Sequence, residues 1–196
     1  MAQTKEHILL NSLTLFAQKG YKEVSLQDIV NLSGMSKGGF YHHFSSKAEV
    51  FSQVIEHFFG GMTYIDYAGL GQGSLKGFYT GLLNLYHKNA LAMQQRFPDE
   101  ESSKNFYYLI FDAMRILPEF KKQHLEQKKQ ELYIWKSVVN TSRNSYEINT
   151  NMTNEQVAKL FIYLNDGVNI NQVIGDSQPK NQLKDLWDNL FFALRG

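Results

Sequence analysis

Apolar residues recur every three to four positions along most of this chain, which is the spacing of one buried face on an α-helix. No segment shows the sustained alternation of apolar and polar residues that is typical of a half-buried strand. Only three prolines occur among the 196 residues, so few positions would interrupt a long helix. The pattern predicts an all-α fold of about nine helices.

A glycine-rich stretch from Gly60 to Gly77 divides the chain into two unlike parts. It contains six glycines, which favour a loop over a continuous helix. Short helical patterns precede it, beginning with a helix near residues 4–19. Longer patterns follow it, near residues 75–95, 103–116, 118–144, 153–174 and 179–194. We therefore expect an N-terminal domain over residues 1–59 and a larger helical domain over residues 60–196.

The composition excludes several classes of function. The chain has no cysteine, which rules out a disulfide framework, thiolate metal ligands and a thiol nucleophile. We expect a cytoplasmic protein, because the first residues lack the apolar run of an export signal and no apolar stretch reaches the roughly 18 residues that span a bilayer. The formal net charge is +1, so overall charge alone indicates no nucleic-acid partner. Residues 1–59 are neutral, with five lysines and five acidic residues.

Residues 25–44 predict two short helices joined by a glycine-containing turn. Ser25 is a favourable N-cap for the first helix, and Asp28 three residues later completes a capping box. Ser33-Gly34-Met35 ends that helix, and Ser36 offers the N-cap of the next. Ser46 and Glu49 predict a further capping box at the start of a longer helix. This arrangement indicates a helix-turn-helix.

Several residues of this segment occur together, at the same spacing, in one protein family. They are Gly20-Tyr21, Ser25-Leu26-Gln27-Asp28-Ile29-Val30, Ser33-Gly34-Met35-Ser36-Lys37-Gly38-Gly39-Phe40-Tyr41-His42-His43-Phe44 and Lys47-Ala48-Glu49. Through them the chain resembles the TetR family of bacterial transcriptional regulators over about residues 5–58. Val30 and Ser33 depart from the alanine that is usual in the family. The resemblance implies a helix-turn-helix that binds operator DNA. We interpret five apolar residues as the small core of this domain: Phe16, Ile29, Phe40, Phe44 and Val50.

The resemblance also implies a set of DNA contacts, several of which elementary chemistry supports. Lys37 can donate to guanine O6 and N7 or to phosphate, and helix N-termini such as those at Ser25 and Lys47 attract phosphate. By resemblance, the Tyr41 hydroxyl donates to a phosphate and His42 supports it. The predicted DNA-binding residues are Ser25, Gln27, Ser36, Lys37, Gly38, Gly39, Tyr41, His42, His43 and Lys47. Two alternatives stay open: His43 also suits the core, and the two glycines also suit close backbone packing.

For the larger domain the resemblance implies a small-molecule effector and a dimer interface. Its aromatic residues predict an apolar or aromatic effector that contacts Phe78, Tyr86, Phe106, Tyr107, Phe111, Met114 and Trp135. The last two helices predict an interface formed by Phe161, Leu164, Val168, Leu186, Trp187 and Leu190. Plain core packing stays an alternative for both sets. Gly60-Gly61 is a candidate hinge between the helix that Ser46 opens and the larger domain.

An enzyme is disfavoured, and no metal or cofactor is expected. His42 and His43 are adjacent, so on a helix they do not share the face that a zinc site needs. The segment 69–74 has serine where a dinucleotide fingerprint needs its last glycine. We expect a ligand-responsive regulator, a repressor by family, that binds an inverted-repeat operator as a homodimer and is released by its effector. The alternative is a helical ligand-binding or adaptor protein of the same fold that no longer binds DNA.

Overall fold

The computed structural model describes residues 2–60, 65–67, 69–96, 100–173 and 181–196. In these ranges the chain forms nine α-helices and no strand, which confirms the all-α prediction. No helix in the described ranges is both long enough and apolar enough to cross a membrane. The helices are α1 (Ala2–Glu23), α2 (Leu26–Leu32), α3 (Lys37–Tyr41), α4 (Lys47–Phe59), α5 (Leu75–Arg96), α6 (Glu100–Ile116), α7 (Pro118–Asn144), α8 (Asn154–Val173) and α9 (Gln182–Ala193).

Helix α1 extends beyond its predicted end at residue 19. Gly20 interrupts it with φ 73° and ψ 163°, which lie outside the helical region. Glycine adopts a positive φ without the steric cost of a Cβ atom, so the break occurs there. The chain then resumes a helical turn up to Glu23. The other long helices begin and end within a few residues of their predicted limits.

The predicted N-caps are present, with one difference in detail. Ser25 and Asp28 form the reciprocal capping box: the Asp28 amide donates to Ser25 Oγ at 3.1 Å, and the Ser25 amide donates to Asp28 Oδ2 at 2.8 Å. At the start of α4, the Glu49 amide donates to Ser46 Oγ at 3.1 Å, as predicted. The Glu49 carboxylate, however, accepts from the amide and hydroxyl of Ser45 rather than from Ser46. The box therefore closes one residue earlier than the spacing predicts.

Met1–Tyr64 and Gln94–His124 form one compact unit, the first unit. Leu109 and Ala113 of α6 lie in the same hydrophobic core as the N-terminal helices. By its contacts, α6 therefore belongs with helices that precede the glycine-rich stretch. The functional division between residues 59 and 60 stays a prediction. The five predicted core residues are each at most 1 % exposed, which confirms them as core: Phe16, Ile29, Phe40, Phe44 and Val50.

Ile65–Met93 and Leu125–Gly196 form the second unit. Its core is aromatic: the Trp135 ring stacks on Phe161 at 5.0 Å between centroids and meets the Trp187 ring at 5.5 Å. The indole N–H of Trp187 donates to the Phe161 carbonyl at 2.9 Å, which satisfies the polar atom of a fully buried side chain. Both tryptophans of the chain thus lie in one core.

Candidate nucleic-acid interface

Helix α3 is only five residues long and depends on its surroundings for its position. Gly34 makes the preceding turn with φ 64°, and Ser36 Oγ accepts the Gly39 amide at 3.2 Å as the N-cap. Phe40 is fully buried and anchors the helix in the core of the first unit. Lys37 and Tyr41, one turn apart on α3, are exposed. The fold therefore presents a short, capped helix with a cation and a phenol at its surface.

The predicted DNA-binding residues differ in exposure. Three of them are half-buried: Gly39, His43 and Lys47. The half-burial of His43 is compatible with both alternatives for this residue, DNA contact and core packing. The remaining residues are exposed and sterically available to a ligand: Ser25, Gln27, Ser36, Lys37, Gly38, Tyr41 and His42. Contact of any of them with DNA stays a prediction.

Some of these side chains already hydrogen-bond within their own helix. The Ser25 hydroxyl donates to Asp28 Oδ2 at 2.7 Å, and the Gln27 side-chain amide donates to Asn31 Oδ1 at 2.8 Å. The bonds from Ser25 hold the pKa of the Asp28 carboxyl below its usual range. Ser25 therefore acts first as a cap, which keeps the amides at the start of α2 in helical geometry.

Lys47 is the first residue of α4, at a helix N-terminus as predicted, and it also has partners inside the protein that were not predicted. Its ammonium donates to the carbonyl oxygens of Tyr21 at 2.9 Å and Val24 at 2.7 Å. It also lies 4.3 Å from the centroid of the Tyr21 ring, within cation–π range. An ammonium has three N–H donors, so these two bonds leave one for a phosphate. Sequence reasoning missed this internal role, because the two acceptors lie 26 and 23 residues earlier in the chain.

The two glycines of α3 are not equivalent. A Cβ atom added at Gly38 would meet nothing within 4 Å, so packing inside the protein does not require glycine there. A Cβ atom at Gly39 would lie 3.2 Å from Ser36 Oγ and 3.4 Å from Met35 Cε, which is tight. Close packing thus accounts for Gly39 but leaves Gly38 without a reason inside the chain.

The predicted effector-contacting residues fall in both compact units. In the second unit, Phe78 and Trp135 are buried and pack edge to face at 4.9 Å, whereas Tyr86 is half-buried. In the first unit, Tyr107 and Met114 are half-buried and Phe111 is exposed. The side chain of Phe106 and the whole of Gly61 lie outside the described residues. Phe78 and Trp135 therefore act as core, and effector contact stays a prediction for the set.

A charged cluster in the second unit, in which only Glu131 is buried, was not predicted. Lys128 Nζ donates to Glu131 Oε2 at 3.0 Å and to Asp166 Oδ1 at 2.9 Å. The Glu131 side chain is only 8 % exposed, and its burial raises the pKa of its carboxyl, although Lys128 opposes the rise. Burial also raises the pKa of the Tyr86 hydroxyl, with Glu131 as the next cause. No sequence spacing indicates that α7 and α8 meet at these charges.

The predicted dimer residues are partly core. Phe161, Val168 and Trp187 are buried in their own protomer, and a buried side chain has little surface to offer a partner. The other three, Leu164, Leu186 and Leu190, are half-buried. Among the α8 side chains that the structure describes, the exposed large apolar ones are Leu160, Tyr163 and Ile170.

Known regulators are similar to this chain in sequence. Residues 8–54 match the sequence profile described as "Bacterial regulatory proteins, tetR family". The chain is 30 % identical over 145 residues to the HTH-type transcriptional regulator YerO of Bacillus subtilis, a match that covers 73 % of this chain and 44 % of YerO. It is 36 % identical over 52 residues to IcaR of Staphylococcus aureus, the negative transcriptional regulator of the biofilm operon icaADBC, covering 26 % and 28 % of the two chains. The matches thus span less than half of each relative's length.

Solved structures share the fold over nearly the whole chain. MexZ, a repressor described as responsible for antibiotic resistance in Pseudomonas aeruginosa, superposes with a TM-score of 0.71 at 15 % identity, covering 100 % of this chain and 96 % of that one. NalD, the secondary repressor of the MexAB-OprM multidrug efflux pump in the same species, superposes with a TM-score of 0.65 at 18 % identity. This match covers 98 % of this chain and 96 % of NalD. Such identities establish a common fold only. Residues 8–54 thus match the TetR family of bacterial regulatory proteins, and the all-helical fold around them is shared with solved regulators of that kind.

Proposed function

We propose that this protein is a transcriptional regulator that binds operator DNA through α2 and α3. The observation that supports this best is the presentation of α3: it is capped by Ser36, anchored by the buried Phe40, and displays Lys37 and Tyr41 to solvent. A short helix exposed in this way can enter the major groove, where a lysine reads guanine or contacts phosphate. Because Gly38 has no side chain and a Cβ atom there would meet nothing in the protein within 4 Å, the helix backbone can approach the duplex at this residue.

We infer dimerisation from the small size of α3, the helix proposed to contact the bases. A five-residue helix provides few base contacts, so one copy binds weakly and two copies, related by two-fold symmetry, read an inverted repeat. Leu160, Tyr163, Gly167 and Ile170 succeed one another on α8 at intervals of three or four residues, so they share a face. The three side chains are between 37 % and 61 % exposed, and a Cβ atom at Gly167 would meet nothing within 4 Å. We propose that a second copy covers this face.

Response to an effector and repression complete the proposal. IcaR and MexZ are described as a negative regulator and a repressor, which supports repression. The aromatic residues of the second unit, among them the half-buried Tyr86, support an apolar or aromatic effector. An effector that favours one spacing of the two DNA-binding domains shifts the population away from the operator-bound state.

The second candidate is a helical ligand-binding or adaptor protein that no longer binds DNA. The neutral charge of residues 1–59 favours it, because DNA-binding domains usually carry an excess of basic residues. The exposed Lys37 and Tyr41 favour the regulator.

Selection from random duplex DNA by the purified protein distinguishes the two. The regulator predicts enrichment of an inverted repeat whose half-sites are about one helical turn apart or a multiple of it. A folded dimer that enriches no sequence would contradict the proposal and favour the adaptor.

A further inference from the structure

The break at Gly20 places a side chain of α6 against the backbone of α1. Gly20 leaves the helical region, and the amide of the next residue, Tyr21, donates to Asp112 Oδ2 at 3.0 Å. Asp112 lies 91 residues later in the chain and is 22 % exposed. Its other oxygen, Oδ1, accepts from Arg115 Nη2 at 2.8 Å within α6. One carboxylate thus binds both the kink of α1 and its own helix.

Tyr21 is held from its other side as well. Its carbonyl oxygen accepts from Lys47 Nζ, and its ring centroid lies 4.7 Å from that of Phe51 in α4. The same Lys47 ammonium also binds the carbonyl of Val24, the residue before the N-cap of α2. Hydrogen bonds therefore run without a gap from Asp112 through the backbone of Tyr21 and through Lys47 to the start of α2.

We propose that Asp112 is a positioning residue for DNA binding. Asp112 fixes the backbone of Tyr21, and the Tyr21 carbonyl in turn fixes the Lys47 ammonium. The start of α2 and the remaining N–H of Lys47 are thereby held in position to contact the duplex. An amide bound to a carboxylate is a charge-assisted hydrogen bond and resists displacement more than a neutral one. Asp112 contacts no DNA itself. This inference rests on the proposed function.

Substitution of Asp112 in the full chain tests the proposal, with the duplex that the wild type enriches as the probe. Asp112→Ala removes the acceptor, and we expect operator affinity to fall about tenfold, the size of one hydrogen bond to a charged group. The dependence of affinity on salt should not change, because no phosphate contact is lost. Asp112→Asn keeps an oxygen that accepts from the Tyr21 amide and should retain most of the affinity. Arg115→Ala removes the other partner of the carboxylate and should bind as the wild type does.

Two further measurements separate positioning from general stability. Hydrogen exchange at the Tyr21 amide should accelerate in Asp112→Ala and stay slow in Arg115→Ala. A double-mutant cycle with Lys47→Met should be non-additive for operator affinity, because both substitutions act through Tyr21. If the alanine variant does not fold, Asp112→Ser, which is polar but too short to bind the amide, takes its place.

The outcomes are distinct. Equal operator affinities for the wild type and Asp112→Ala, or an additive cycle, would overturn the role of Asp112 while the proposed function stands. A wild-type protein that binds no duplex would overturn the proposed function and this role together, even where exchange shows that the hydrogen bond exists.

Discussion

The Lys47 ammonium lies 2.7 Å from the carbonyl oxygen of Val24, so the first residue of α4 is bonded to the residue that precedes the N-cap of α2. The same ammonium binds the Tyr21 carbonyl at 2.9 Å. A residue that the family resemblance assigns to DNA thus also holds the helix-turn-helix together. Its contribution to stability and its contribution to DNA binding are separable by substitution.

Lys47→Met should destabilise the first unit in the absence of DNA. The change leaves the carbonyls of Tyr21 and Val24 without their donor, and we expect a loss of about 1–3 kcal/mol in the free energy of unfolding, measured with urea. Lys37→Met is the matched control: its side chain is exposed, so the change should stay within about 0.5 kcal/mol. Equal stabilities of the two variants would show that the internal bonds of Lys47 contribute nothing.

Gly38→Ala should separate stability from DNA affinity. The added methyl group meets nothing in the free protein, so higher helix propensity should stabilise it by up to about 1 kcal/mol. If the backbone of α3 approaches the duplex at Gly38, the same methyl group weakens operator binding. Thermal unfolding and a DNA titration measure the two effects. A stabilised Gly38→Ala protein with undiminished affinity would contradict close approach at this residue.

Gly39→Ala is the comparison for that experiment. Its methyl group would press on Ser36 Oγ and Met35 Cε, so the gain in helix propensity should be offset in the free protein. We expect Gly39→Ala to be less stable than Gly38→Ala, and the reverse order would contradict the packing described for α3.

Asp28 should make stability depend on pH in the acid range. Hydrogen bonds from Ser25 lower the pKa of the folded-state carboxyl below its ordinary value of 3.8. The stabilisation is therefore present above that ordinary value and is lost as the pH falls through the lower, folded-state pKa. Asp28→Asn should flatten this part of the profile in urea unfolding from about pH 5 to about pH 2. Identical profiles for both proteins would show that the capping box contributes nothing to the pH dependence of the free energy of unfolding.

Lys128 should matter more to stability than Glu131 does. Lys128→Met leaves the Glu131 and Asp166 carboxylates facing each other without their shared cation, and we expect a loss of about 2 kcal/mol. Glu131→Gln removes a carboxylate whose charge burial already disfavours, so its effect should be within about 1 kcal/mol. Urea unfolding at neutral pH measures the free energies of unfolding of the two variants and so ranks their stabilities. A larger loss for Glu131→Gln would contradict this account of the cluster.

Tyr163→Asp should produce a monomer. The Tyr163 side chain is 61 % exposed in the middle of the α8 face that we propose a second copy covers, and a buried carboxylate there is costly. Tyr133→Asp, on α7 and 74 % exposed, is the matched control and should leave the dimer intact. Light scattering after gel filtration reports both masses. A dimeric Tyr163→Asp protein would place the interface elsewhere.

Local features of the fold were predictable from sequence, because local patterns determine them. Apolar periodicity identified the helices, the Ser25–Asp28 spacing identified a capping box, and the core position of Phe40 followed from its place in the motif. Features that depend on distant residues were not predictable. Asp112 reaches Tyr21 across 91 residues, and nothing in the sequence around either residue indicates the contact.

Periodicity also fails to distinguish a core face from an interface face. Trp187 and Phe161 follow the helical spacing that a dimer interface would show, yet the structure buries both inside one protomer. On α8 the exposed residues Leu160 and Tyr163 lie beside the buried Phe161, so only the three-dimensional packing assigns each face.

Titration of the selected operator with the wild type and Lys37→Ala across a series of salt concentrations tests the central claim most directly. Lys37 is exposed on α3, so its removal should weaken binding at every salt concentration without a loss of folding. If Lys37 contacts phosphate, the slope of log affinity against log salt should also fall by about one. Equal affinity and equal slope for the two proteins would contradict the assignment of α3 to the DNA.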